Sequence, residues 1–530
     1  MRLPLGLFAL SAAAIAAAWA WLGQPVEMPQ TPFAWGEKLY CVSYAPFRGQ
    51  QNPLDGSTHI EPWQIEEDLR QLARLTDCVR TYSVDSGLDR IAEIAQRHGL
   101  KVLQGLWLSS HAGKNREQIE TAVALANRFP NTIRAVIVGN EVLLRGEISA
   151  SDLAGIIRGV KARVPVPVTY ADVWEFWLRH TQIRDAVDFV TIHILPYWED
   201  FPIPARNAAA HVEAIRRKMV DAFPDKEIIV GEVGWPSAGR MREGALPSPV
   251  NQARVIQDVL ALAKRENYRV NVIEAFDQPW KRRLEGTVGG HWGFLDSGTR
   301  DFKFIWGEAV SNHPRWIWQA AGGIAFAALV FGAAYFARGR NHPSPVIWFG
   351  VAANATVGGI LIGWAVENVP IEALSIGGWI RSLAMVAVAF AAPPVAAAAL
   401  TANLAIPRFS DILNRNRPRD PIVCALGVSL ILLGAIAMML ALGLVFDPRY
   451  RDFPFVPLTA ATVPFLIHSL LRPRASGHRA AAETATAVLL AVSAAYIAFN
   501  EGFANWQALW LCAVLAALAF ILTRVRGAPG

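Results

Sequence analysis

The sequence predicts an α/β fold, a (β/α)8 TIM barrel over residues 33–313, followed by an all-α polytopic transmembrane domain over 314–530; residues 1–32 form an N-terminal signal anchor and linker. Three observations predict this. Between Leu39 and Phe276 eight short β-branched runs alternate with helical patterns, and eight βα units in about 240 residues is the size of such a barrel. From Trp316 onward the chain has no lysine, and long Ala/Leu/Val/Ile/Gly runs alternate with short arginine clusters. A mean hydropathy of +0.27 with 18% charged residues is too apolar for a wholly soluble chain of 530 residues.

The expected strands are Leu39–Ser43, Val79–Ser83, Lys101–Trp107, Ala135–Gly139, Val168–Ala171, Phe189–His193, Glu227–Gly231 and Val270–Phe276. Between them lie amphipathic patterns. Ile65, Leu69 and Leu72 share one helix face behind Glu61-Pro62, and Ile119, Val123 and Ala126 share another within Glu117–Phe129. In a parallel barrel the chemistry sits at the C-terminal ends of the strands. The residues there are Tyr44, Tyr82, Trp107, Asn140-Glu141, Asp172, Tyr197-Trp198, Glu232, Trp235 and Asp277-Gln278-Pro279-Trp280-Lys281. Aromatic faces stack on sugar rings, and carboxylates and amides bond sugar hydroxyls. The bland alternative is that several of these aromatics only cap the barrel core.

Two runs form a matched pair. Ile133–Val142 and Lys226–Ser237 each carry a β-branched strand that ends in glycine with a glutamate just beyond, at Glu141 and Glu232. Two carboxylates delivered to one rim by different strands are the minimum equipment for glycoside hydrolysis. A lone glutamate after a strand is ordinarily a solvated loop residue; two, each behind a glycine on strands four and seven, are not. Asp172 and Asp277 also suit helix N-caps, Arg80 and Lys281 suit ion-paired rim charges, and His193 suits a core histidine better than a catalytic base. No His/Cys/Asp cluster has metal-ligand spacing, so neither metal nor cofactor is expected. The sequence pI near 9.2 comes largely from membrane-flanking arginines without a basic, aromatic-interleaved patch, and nucleic acid is not an expected partner.

Eight spans are expected: Leu3–Leu22, then about 316–336, 345–366, 377–405, 421–446, 455–471, 482–499 and 506–523. The span 455–471 is the weakest, being short and holding Pro457, Pro464 and His468. One set of connections holds Arg338, Arg340, Arg408, Arg415, Arg417, Arg419, Arg472, Arg474, Arg479, Arg524 and Arg526, and the other holds only Arg449 and Arg451. That bias puts both termini in the cytoplasm and the barrel outside. The first span is expected to be an uncleaved anchor rather than a signal peptide. Of four cysteines, Cys424 and Cys512 lie in apolar spans; Cys41 and Cys78 are either a disulfide of an oxidising compartment or, as the expectation here, two free buried thiols.

With those residues in view, the stretch from about Leu39 to Phe304 resembles glycoside hydrolase family 17, the β-1,3-glucanases and β-1,3-glucanosyltransferases. Val230-Gly-Glu-Val-Gly-Trp-Pro-Ser237 is similar to the family's nucleophile signature and Val138-Gly-Asn-Glu-Val142 to its acid/base signature. Arg80-Thr-Tyr82, the Tyr197 region, Phe276–Lys281 and His291-Trp-Gly-Phe294 fit in order and spacing. The resemblance implies a retaining double displacement with Glu141 as acid/base and Glu232 as nucleophile, their carboxyl groups roughly 5–5.5 Å apart. It implies a raised pKa for Glu141, and sugar contacts from Tyr44, Arg80, Tyr82, Trp107, Asn140, Asp172, Tyr197, Trp198, Trp235, Asp277, Gln278 and Lys281. Plant members commonly carry glutamate where Gln278 stands and a further acid near Gly289, so plant-type subsites do not transfer. The implied partner is a β-glucan, with lipid around the spans. Trp174, Trp177 and Trp198 are candidate acceptor platforms that would favour transfer over hydrolysis. Bacterial membrane-tethered relatives are associated with periplasmic β-glucans and are often labelled β-(1→6)-glucan synthases. That places the chain in the inner membrane with the barrel on the periplasmic face. The alternatives are a component of a glucan synthase or export system, with a synthase as partner, or a non-catalytic sugar sensor.

Overall fold

The computed structural model describes residues 2–34, 36–414, 418–472 and 480–525. Arg415, Arg417, Arg474, Arg479 and Arg526 of the charge count lie outside the described residues. The chain divides into two compact units: Val26–Ala238 with Gly244–Val310, and Met1–Pro25 with Gly239–Glu243 and Ser311–Gly530.

The first unit is a closed barrel of eight parallel strands in sequence order. They are β1 (Cys41–Ser43), β2 (Cys78–Arg80), β3 (Lys101–Leu106), β4 (Ile133–Asn140), β5 (Val168–Val173), β6 (Val190–His193), β7 (Ile228–Val233) and β8 (Val270–Val272). β1 closes the ring by pairing with both β2 and β8. β1, β2 and β8 are shorter than expected, because the chain leaves the ladder at the rim to form loops. The departing ends keep single links: the Tyr44 N–H reaches the Arg80 carbonyl at 2.8 Å, and Phe276 bridges Leu295.

β1 and β2 run in register with Val42 opposite Val79, which sets Cys41 beside Cys78. The two are joined by a disulfide with their Cα atoms 4.3 Å apart, contrary to the expectation of free thiols. Strand register, which only the fold reveals, decides that pairing. The bridge is wholly buried against Leu103, Ala135, Ile137 and Ala171 inside the barrel. Closing a 37-residue separation contributes about 4 kcal/mol by the loop-entropy relation.

The ladder is irregular at functional strand ends. Register shifts fall between Ile137 and Asn140 on β4, Ile192 and His193 on β6, and Val230 and Val233 on β7. Such bulges re-aim side chains. Here they sit beside Glu141, His193 and Glu232. On β4 the turn is sharper still, with Gly139 at φ +90° and Glu141 at φ +52°. A Cβ on Gly139 would lie 2.7 Å from Val142 Cγ2, so glycine is required for both its dihedral and its space. A non-glycine residue held in the left-handed region costs of order 1–3 kcal/mol and persists where surrounding bonds fix it.

The second unit contains seven helices long and apolar enough to cross a membrane: Arg2–Leu22, Trp316–Ala337, Pro345–Glu372, Ser375–Ala402, Pro421–Phe446, Ala481–Glu501 and Trp506–Arg524. The eighth expected span is the 17-residue helix Phe455–Leu471, apolar but shorter than the rest. Pro393 lies inside Ser375–Ala402, where its carbonyl accepts the buried Asn354 side chain at 2.8 Å. That contact gives Asn354 a structural role.

Candidate active site

Glu141 leaves β4 and Glu232 lies on β7, and one oxygen of each carboxylate falls within 4.8 Å of the other. Arg80, at the end of β2 and 1% exposed, organises the space between them. Its Nη1 donates to Glu232 Oε1 at 3.0 Å and to the Gly231 carbonyl at 2.6 Å; its Nη2 donates to Asn140 Oδ1 at 2.6 Å. Glycine at 231 makes this possible, because a Cβ there would lie 3.5 Å from Arg80 Nη1 and run into Thr191. A second donor reaches Glu232 through a chain of hydroxyls. Asn271 Nδ2 donates to Ser43 Oγ at 2.8 Å, Ser43 meets Tyr82 Oη at 2.8 Å, and the Tyr82 hydroxyl donates to Glu232 Oε1 at 2.9 Å. Burial and the Glu232 charge push the Tyr82 hydroxyl well above the usual phenol range, so it stays a donor. Glu232 is thus a buried carboxylate held by one cation and one phenol, 4% exposed.

His193, at the end of β6, links the two carboxylates. Its Nε2 lies 3.1 Å from Arg80 Nη2 and 3.5 Å from Glu232 Oε1, and its Nδ1 lies 2.7 Å from Glu141 Oε1. A guanidinium only donates, so Nε2 accepts from Arg80, and the ring proton sits on Nδ1 and points at Glu141. Burial opposes ionisation of Glu141, but the His193 bond and the positive field of Arg80 and Arg145 outweigh it and hold the carboxyl below its ordinary range. This corrects the expectation of a raised Glu141. Like-charge repulsion from Glu232 is muted because Arg80 stands between them. Removing the imidazole with His193→Ala should therefore move the alkaline limb of kcat/KM upward by roughly one pH unit, since that limb reports loss of the proton from the free acid. A fall in rate with an unmoved limb would leave His193 a packing residue.

The oxygens of Glu141 and Glu232 and a His193 nitrogen converge closely enough to hold a cation. Arg80 already supplies positive charge there, bonding two of the three groups.

The other expected residues separate into two layers. Asn140, Arg80, Tyr82, Trp107 and Lys281 face the carboxylates or their rim. Trp107 is 37% exposed beside the site, with the Arg145 guanidinium 4.3 Å from its ring. Arg145 itself bonds the Asn140 carbonyl and the Leu108 carbonyl. Behind them lies a buried layer. Tyr44 donates to Asp68 at 3.1 Å, Trp235 Nε1 donates to the Leu246 carbonyl at 3.0 Å, and Tyr197 sits edge-on between Trp198 and Trp235. Asp172 accepts the Tyr170 hydroxyl and the Val173 N–H, while Tyr170 Oη accepts the Leu143 N–H at 3.0 Å. The pair thereby pins the turn after Glu141. Burial, with the Glu141 charge adding to it, raises the Asp172 carboxyl to about 6. Asp277 accepts from Gly293 N–H at 2.9 Å and Lys303 Nζ at 2.6 Å. Trp177, an expected acceptor platform, is 1% exposed with its Nε1 on the Thr191 carbonyl at 2.9 Å, which makes it core. Trp174 and Trp198 keep partly open faces.

The expectation for His193 pointed to the core, because a single histidine on a strand carries no signal of its own. The register pairing His193 with Glu232 brings it between the two glutamates.

Residues 41–293 match the family model of the BtgE/BtgC glycoside hydrolase domain. Among curated proteins, the chain is 28% identical over 275 residues to a glucan 1,3-beta-glucosidase of Candida albicans, covering 46% of this chain and 86% of that one. It is 30% identical over 225 residues to the probable beta-glucosidase btgE of Aspergillus flavus, covering 41% and 36%. Among solved structures, a glycoside hydrolase family 17 beta-1,3-glucanosyltransferase from Rhizomucor miehei is 27% identical with a TM-score of 0.44, covering 50% of this chain and 95% of that one. The family match and the sequence relatives define the barrel as a glycoside hydrolase/glucanosyltransferase domain. Within that class, the barrel is a domain of the family 17 type.

Proposed function

We propose that the chain is a membrane-held β-1,3-glucan transglycosylase that works by double displacement, with Glu232 as nucleophile and Glu141 as acid/base. The carrying observation is the approach of the two carboxylates to within 4.8 Å, nearer the spacing of retaining than of inverting glycosidases. Arg80 and Tyr82 hold Glu232 ionised and aimed at the anomeric carbon. Glu141 gives its proton to the departing sugar oxygen, and substrate entry strips water from this half-exposed group and so favours the protonated form. Once Glu232 is esterified, Glu141 is the carboxylate that takes a proton from the incoming hydroxyl while His193 supports its negative charge. Asn140, oriented by Arg80, is placed to bond the sugar 2-hydroxyl, a contact that strengthens in the transition state.

Transfer rather than hydrolysis is supported by the aromatic faces of Trp107, Trp174 and Trp198 around the rim, which suit an acceptor sugar. An extracytoplasmic site at a bacterial inner membrane, with lipid around the apolar helices, is supported by the arginine bias of the connections and by the Cys41–Cys78 disulfide. Seven long apolar helices exceed what anchoring needs, which favours a glucan synthase as partner.

Full-length protein in detergent, incubated with β-1,3-linked glucose oligomers of one length, tests the reaction. Mass spectrometry should show products longer than the donor. Products that are only shorter identify a hydrolase and overturn transfer.

A further inference from the structure

Three ionisable groups beside the catalytic pair have no part in the double displacement: Glu274, Lys281 and Glu285. Glu274 follows β8 directly and is 1% exposed. Its Oε1 accepts from Lys281 Nζ at 3.1 Å, whereas Oε2 is buried without any hydrogen-bond partner. Lys281 ends the turn Pro279–Lys281, and Glu285 ends the short helix Arg282–Glu285 that follows. The Lys281 ammonium is held above its usual range, against the effect of burial, by Glu274, Glu285 and Glu232. The Glu285 carboxyl is raised by burial, lowered by Lys281, and raised again by the charges of Glu141 and Glu232. Glu285 therefore stands within electrostatic reach of both catalytic carboxylates.

Two neighbours show how the chain makes room for it. Gly289 is buried, and a Cβ there would lie 2.6 Å from Glu285 Cβ and 2.7 Å from Glu285 Oε2. The space of a side chain at 289 is thus occupied by the Glu285 side chain. Gln278 is fully buried and bonded at both ends. Its Nε2 donates to the Ala45 and Phe276 carbonyls at 2.9 and 3.2 Å, and its Oε1 accepts from Trp280 Nε1 at 2.9 Å. A carboxylate at 278 could not donate to those carbonyls. Position 278 is therefore structural here, and the acidic wall comes from Glu274 and Glu285.

We propose that Glu285, paired with Lys281 and backed by the open oxygen of Glu274, is a specificity-determining residue that binds hydroxyls of the donor glucose seated on Glu232. Neighbouring sugar hydroxyls both donate and accept, and an ammonium between two carboxylates offers the matching acceptors and donor. A bound hydroxyl also gives Glu274 Oε2 the partner it lacks in the protein. The inference rests on the glycosidase reading above.

The test uses full-length protein in detergent and a β-1,3-linked glucose pentasaccharide. Glu285→Gln should lower kcat/KM between about ten- and a hundredfold, as loss of a hydrogen bond to a charged group does. The double variant Glu285→Gly with Gly289→Glu, which moves the carboxylate to the neighbouring position, should recover part of that loss. Calorimetric binding of the pentasaccharide in a Glu232→Gln background should weaken by a similar factor when Glu285→Gln is added. Glu285→Asp, which keeps the charge and shortens the reach, takes the place of Glu285→Gln if that variant does not fold. Unchanged kcat/KM and unchanged binding overturn the role of Glu285. A wild-type chain without turnover refutes the catalytic reading alone, since the binding comparison still decides Glu285: weaker binding supports it and equal binding overturns it.

Discussion

Glu232→Gly is expected to abolish turnover of β-1,3-glucan by about four orders of magnitude or more, the loss that follows removal of a nucleophile acting as a unit with its partners. Glu232 is buried, paired to Arg80 at 3.0 Å and bonded to Tyr82 at 2.9 Å, so no neighbouring carboxylate can take its position. The substitution leaves a cavity at the foot of the site. Azide entering that cavity attacks an activated β-glucosyl donor directly, and the product should be the α-glucosyl azide, formed by one inversion. Proton NMR of the product checks the configuration. Activity that survives the substitution would remove Glu232 from the mechanism.

Glu141→Ala is expected to lower turnover of β-1,3-glucan by about 10²- to 10⁴-fold, the usual contribution of a positioned general acid. The loss should shrink for an aryl glucoside whose phenolate leaves without protonation, because the acid is needed only where the leaving oxygen is basic. With azide, the second step no longer needs a base, and the product should be the β-glucosyl azide through two inversions. The two variants therefore give azides of opposite configuration. Equal losses on both leaving groups would assign Glu141 a structural role. His193 and Arg145 would then be supports of a loop rather than of an acid.

The barrel was legible because buried parallel strands read as β-branched runs and their connections as amphipathic helices, and the Gly–Glu endings of β4 and β7 marked the site. The glycines proved to matter for different reasons: Gly139 turns the chain with positive φ, and Gly231 clears space for Arg80. Long apolar helices were equally plain, down to the short one at Phe455–Leu471. What escaped the sequence depends on register and on close packing. Cys41 meets Cys78, and His193 meets Glu232, only once adjacent strands are aligned. The depressed Glu141 carboxyl follows from that same histidine, so an expectation drawn from two like charges missed the donor beside them. Glu274 and Glu285 lie in rim segments with no periodic pattern, and their relation to Lys281 appears only when the turns after β8 fold back over the site.

Trapping the glycosyl-enzyme tests the central claim most directly. A 2-deoxy-2-fluoro β-glucosyl donor with an activated leaving group destabilises both oxocarbenium-like transition states, and the good leaving group lets the first step outrun the second. Digestion and mass analysis of the inactivated protein should locate one fluoroglucosyl adduct on the peptide that carries Glu232. An adduct on Glu141, or turnover to an α-configured product with no adduct at all, would contradict it.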